Sequence, residues 1–145
     1  MPREEVYATD AAVPEGYELV GTGLAVVEEE RVVEGPVFWL DSPAAVLQFV
    51  AGGAAPSSIA LSRGGTTSFM APALACGVLG LLTLQGARES HLGILSREYG
   101  IPCIMSVEFR SGVRSARGEL IPPDGTILRL DLSTSQGRVL RRVGR

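Results

Sequence analysis

The chain has 145 residues, 46% hydrophobic and 20% charged, a composition that suits a folded domain with a sizeable core and excludes a disordered chain. Its formal net charge is −3 and all thirteen basic residues are arginine, with no basic stripe, so no nucleic-acid partner is expected. The longest apolar stretch, Met70 to Leu84, is broken by Pro72, Gly77 and Gly80 and is too short to cross a bilayer, so no membrane partner is expected either.

Residues 1–16 carry Pro2, Pro14 and Gly16 among small and acidic residues and read as an irregular N-terminal arm; residues 17–143 read as a single domain. The opening Met-Pro-Arg-Glu-Glu lacks the apolar character of a signal peptide, and a cytoplasmic location is expected. Tyr17 to Glu28 predicts a strand bulged at Gly21 and Gly23, and Pro36 to Leu40 a second strand. Asp41-Ser42-Pro43 starts a helix that Gly52-Gly53 ends, with Val46, Leu47 and Val50 on one face. Ser58 to Leu61 predicts a strand, Gly64 to Thr67 a turn, Met70 to Ala75 a short helix and Val78 to Thr83 a buried strand. Cys103 to Val107 predicts another buried strand, and residues 109–120 a loop with one irregular strand. Strands at residues 127–132 and 138–143 complete the chain. Cys76 and Cys103 have no ligand-spaced partners, so they read as two buried thiols and no metal is expected. The late arginines Arg138, Arg141, Arg142 and Arg145 read as a solvated edge.

The stretch with the most chemistry is Gly86 to Pro102, which contains the only histidine, His91. Gln85-Gly86 ends the buried strand and Ser90 is a helix N-cap. Leu92, Leu95 and Tyr99 share one face, expected to be the inward one, and Gly100 followed by Pro102 stops the helix. A histidine in a first helical turn lies beside unpaired N–H groups at the positive end of the helix dipole, a place suited to an anion. Neutral imidazole is a nucleophile near pH 7 and takes a phosphoryl group on a ring nitrogen. Ser90 and Arg88 are candidate donors to such a group. A histidine with no chemical role beside a helix cap is the plainer alternative.

These residues resemble the mobile phosphohistidine domain of the phosphoenolpyruvate-utilising enzymes, among them pyruvate phosphate dikinase and phosphoenolpyruvate synthase. Gly86, Ser90, His91, Arg97, Glu98, Gly100, Ile101 and Pro102 match the family motif, and the likeness extends over roughly residues 18–141. The resemblance implies an α/β fold, a three-layer β/β/α swivelling phosphohistidine domain. It implies His91 as the phosphorylated nucleophile, with Ser90, Gly86, Arg88 and Glu89 neighbouring the phosphate, while Arg97 and Glu98 hold the helix to the domain. Three residues depart from the pattern: Ala87 replaces a second glycine, Ser106 replaces a glycine after the following strand, and Glu89 stands where the best-known members have threonine. The Glu89 carboxylate either opposes an incoming phosphate or orients the imidazole ring.

The resulting expectation is a stand-alone phosphohistidine carrier of a split dikinase-like phosphotransferase. No cofactor binds this domain alone. ATP or phosphoenolpyruvate is the donor on a partner, and the partners are a nucleotide-binding, ATP-grasp-like subunit and an acceptor-binding subunit. Two alternatives stand beside it: a catalytically inactive swivel-domain interaction or regulatory module, and a small swivel subunit of an aconitase-like dehydratase.

Overall fold

The computed structural model describes residues 13–64 and 68–143; most of the expected arm and the Gly65-Thr66-Thr67 part of the expected turn lie outside the described residues. The elements run β1 (Tyr17–Ala25), β2 (Val33–Trp39), α1 (Pro43–Ala51), β3 (Ile59–Ser62), α2 (Ala71–Ala75), β4 (Gly80–Thr83) and α3 (His91–Tyr99), then β5 (Cys103–Phe109), β6 (Val113–Arg114), β7 (Leu120–Ile121), β8 (Ile127–Asp131) and β9 (Gln136–Arg142). The expected loop over residues 109–120 contains the short β6–β7 ribbon. Among the described residues no helix is long and apolar enough to cross a membrane.

The strands form a closed barrel in the order β1-β5-β4-β3-β2-β8-β9, with β9 pairing back onto β1. This corrects the expected three-layer β/β/α arrangement, in which separate sheets would leave free edges. The physical reason lies in β1. It pairs antiparallel with β5 on one side and with β9 on the other, and its register shifts at Leu19/Gly21 and at Thr22/Leu24 let it bend between them. Bulging at the β1 glycines was legible; its consequence was not. Gly23 belongs to the same device, since a Cβ there would stand 2.5 Å from the Met105 carbonyl oxygen.

β2, β3, β4 and β5 pair in parallel, and each step between them crosses over through a helix, as parallel neighbours require. β3, β4 and the first half of β5 are buried on both faces, which explains their nearly unbroken apolar sequences. Ile59, Leu61, Leu82 and Ile104 fill the barrel together with Leu128, Leu130 and Val139. Ala60, Leu81, Cys103 and Met105 point the other way and pack under Val46 of α1, Ala73 and Leu74 of α2 and Leu92 of α3. Ser42 caps α1 by accepting from the Ala45 N–H at 3.1 Å, as its position predicts.

Three burial expectations change. Tyr99 is exposed and Leu95 only half-buried; the inward face of α3 is Leu92, Gly93 and Ser96. Small residues win there because the helix lies so close that a Cβ on Gly93 would meet the Arg88 carbonyl oxygen at 2.4 Å. Cys76 is exposed because it terminates α2, whereas Cys103 is buried and desolvation pushes its thiol up to about 12. Arg138 is only 9% exposed and pairs with Asp131 through bonds of 3.1 and 2.6 Å, so it is not part of a solvated edge.

Candidate functional site

The C-terminal ends of parallel strands are where α/β folds place ligands, because the crossover loops and helix N-termini gather there. At this rim the exits of β3 and β4 lie side by side. Leu84 and Gln85 donate their N–H groups to the carbonyls of Ser62 and Arg63 at 3.1 and 3.0 Å. A Cβ on Gly64 (φ +92°) would stand 2.2 Å from the Gln85 carbonyl oxygen, so only glycine fits this contact. Thr83 Oγ1 ties the same carbonyl from below at 2.7 Å.

From here the chain runs through Gly86 to Ser90 into α3, with His91 as the first helical residue and exposed. Ser90 is the N-cap. Its Oγ accepts from the Gly93 N–H at 3.3 Å and lies 3.5 Å from Met105 Sδ, toward which it donates. Ile94 N–H reaches the Ser90 carbonyl at 2.9 Å, and the N–H groups of His91 and Leu92 are the first-turn donors that a helix leaves without an intrahelical acceptor. An exposed imidazole therefore stands beside two backbone donors without an intrahelical acceptor, at the positive end of a helix.

The other expected phosphate neighbours are in the same turn, with some of their hydrogen-bonding capacity already engaged. Gly86 has φ +123°, and a Cβ there would lie 2.9 Å from Met105 Cε; the glycine is needed for the backbone angle and for this packing. Arg88 donates from Nε to the Ala25 carbonyl at 2.9 Å, tying the turn to the end of β1. Glu89 is exposed. Arg97 Nη2 donates to the Arg88 carbonyl at 3.2 Å, holding helix and turn together, whereas Glu98 faces solvent.

Two further residues complete the rim: Ser106, noted in the sequence only as a departure from the family pattern, and Arg63, which the sequence did not single out. Ser106 is the one non-glycine with positive φ (+54°) among the described residues, and its Oγ donates to the Gly86 carbonyl at 2.6 Å. The signal available for it was its place where the resembling family carries glycine. Beside the β3 exit, Arg63 forms a two-armed ion pair with Glu119, one arm at 2.9 Å, and lies 5.3 Å from the centre of the Trp39 ring. The Arg63 guanidinium holds the Glu119 carboxyl down at about 2. No local pattern announces a pair 56 residues apart. Among the described residues no three His, Cys, Asp or Glu side chains group as metal ligands.

Among solved structures the chain is similar to Streptomyces coelicolor RraAS2, described as an unusual member of the RNase ES inhibitor RraA protein family. The identity is 16% and the TM-score 0.51, over 83% of this chain and 70% of that one. A muramoyltetrapeptide carboxypeptidase from Oxalobacter formigenes is 12% identical with a TM-score of 0.49, over 97% of this chain and 55% of that one. The first likeness concerns fold alone. No curated protein matches the sequence. The sequence profile of the family described as PEP-utilising enzyme, mobile domain, matches residues 61–134, just over half of the chain and the whole of the rim from Arg63 through His91 to Ser106. The protein therefore belongs to the mobile-domain family of the PEP-utilising enzymes.

Proposed function

We propose that the protein carries a phosphoryl group on His91 between a donor site and an acceptor site on partner subunits, as part of a dikinase-like phosphotransferase. The observation that carries this reading is the exposed, solitary histidine at the first position of α3, next to the free backbone donors of the helix start. In the loading step an imidazole nitrogen attacks the donor phosphorus, an N–P bond forms, and the donor's P–O bond breaks with its oxygen leaving as an anion. In the unloading step an acceptor nucleophile attacks the same phosphorus and the N–P bond breaks, returning neutral imidazole. The helix start and the terminal nitrogens of Arg88 suit the dianion carried between the two. An ATP-grasp-like subunit is the proposed loading partner, with ATP or phosphoenolpyruvate as the donor.

A specific observation favours a second reading, an inactive interaction module. Glu89 is exposed two residues before His91, and Ala87 adds a methyl where a donor would approach. One experiment separates the two. The protein is incubated with labelled ATP or phosphoenolpyruvate and extract of its own source cells. A carrier acquires one acid-labile, base-stable phosphate that His91→Ala abolishes. If neither the native chain nor Glu89→Thr labels with either donor, the module reading replaces the carrier.

A further inference from the structure

Two consecutive residues of β5 hold the two ends of the turn that presents His91. Met105 packs its Cε against Gly86 and receives the Ser90 hydroxyl on its sulfur at 3.5 Å. Ser106 bonds the Gly86 carbonyl at 2.6 Å, at the short end of the O–H···O range. Ser106 does so from φ +54°, a left-handed angle that glycine adopts freely and that a Cβ disfavours. A serine at this position therefore supplies the one thing glycine lacks, a hydroxyl aimed at the turn. In a trans peptide the C=O and the following N–H point in opposite directions. Pinning the Gly86 carbonyl toward β5 turns the Ala87 N–H away from β5.

We infer that Ser106 is a positioning residue for the phosphoryl site: its hydroxyl locks the Gly86–Ala87 peptide so that the Ala87 N–H stands preorganised as a donor to the phosphoryl group on His91. This rests on the carrier reading and adds a donor to it. The effect is one of preorganisation, since the donor then needs no reorientation as charge develops.

The test needs no partner. Phosphoramidate transfers its phosphoryl group directly to histidine: its N–P bond breaks, an N–P bond to imidazole forms, and ammonia leaves. Because His91 is the only histidine, one set of imidazole resonances reports its labelling. Ser106→Gly suits the backbone angle and removes the hydroxyl. It is expected to keep the native melting temperature or exceed it, to label about threefold to tenfold more slowly, equivalent to one net hydrogen bond, and to lose the downfield shift of the Ala87 amide on phosphorylation. Ser106→Asn tolerates positive φ and restores a donor, and it should recover both the rate and the shift. A glycine variant that labels at the native rate overturns the inference. So does a glycine defect that asparagine fails to repair, or a native His91 that stays unlabelled while free histidine in the same tube reacts. A chain that labels with phosphoramidate but never with ATP or phosphoenolpyruvate fails the carrier reading, while the comparison of Ser106 variants still gives its own answer.

Discussion

The two halves of the barrel wall bury their strands in different ways. In the parallel half, β3, β4 and β5 are covered inside by the barrel core and outside by α1, α2 and α3, so successive residues such as Leu81 and Leu82 are both fully buried. In the antiparallel half, β8 alternates: Leu128 and Leu130 point in, while Arg129 and Asp131 point to a solvated face. That face is tied by charge. Glu34 accepts from Tyr17 at 2.7 Å, from Arg129 at 3.1 Å and from Arg142, and the Arg129 guanidinium lies 4.4 Å from the centre of the Tyr17 ring. The difference teaches where a site can form. Only the parallel half sends its strand ends into crossover loops and helix starts, and only there does the chain gather His91, Ser90 and Ser106.

The sharpest way to break this comparison is to truncate neighbours on each half. Leu81→Ala and Leu82→Ala should each cost about 2–5 kcal/mol, because both lose packed methyl groups, one under the helices and one in the barrel. On β8, Leu130→Ala should cost as much, while Arg129→Ala costs about 1 kcal/mol, the range of a partly exposed ion pair with a ring contact. Urea denaturation reads all four, and a Leu81→Ala as mild as Arg129→Ala would show that the helices do not form a true second core.

A smaller contrast concerns close approaches. Gly93→Ala in α3 would set a methyl 2.4 Å from a backbone oxygen and should cost about 1–3 kcal/mol, because the turn must shift. Gly52→Ala at the end of α1, where φ is −72° and a Cβ would meet nothing nearer than 3.4 Å, should cost little. Equal losses in denaturant would mean that the turn bearing His91 is more pliant than its bonding implies.

The smallest effect tests the β6–β7 ribbon through pH. The Glu119 carboxyl sits at about 2 in the folded chain against an ordinary 4.5, with Arg63 as the main cause. A depressed acid contributes stability that is complete above its unfolded value and disappears as pH falls from about 4.5 toward 2. Glu119→Gln should therefore lower the melting temperature modestly at pH 7 and flatten its decline across that acid window. A variant whose acid profile superimposes on the native one would remove this pair from the account.

Much of the site was legible because its signals are local. A strand, a glycine break, an N-cap serine and a glycine–proline stop are written within 25 residues, and the structure places α3 at His91–Tyr99 with Ser90 as its cap and Gly100 in the left-handed conformation. The expectation for its inward face held at Leu92, held in part at Leu95 and failed at Tyr99, because apolar spacing ranks residues by hydrophobicity. Packing selected by size: Gly93 lies against the Arg88 carbonyl and Ser96 is fully buried, while Tyr99 is exposed. The two cysteines looked alike in apolar surroundings, yet one closes a helix in solvent and the other lies on a doubly covered strand.

By itself the sequence determined the identity of most elements, the capping of α1 and α3, the membership of a family and the location of its single histidine, since each is decided by neighbours a few residues apart. The tertiary structure alone decided the closure of β9 onto β1, the pairing of Arg63 with Glu119 and the bond from Ser106 to Gly86. These join residues far apart in the chain, where strand register, twist and bulges set the geometry and no local propensity records the outcome.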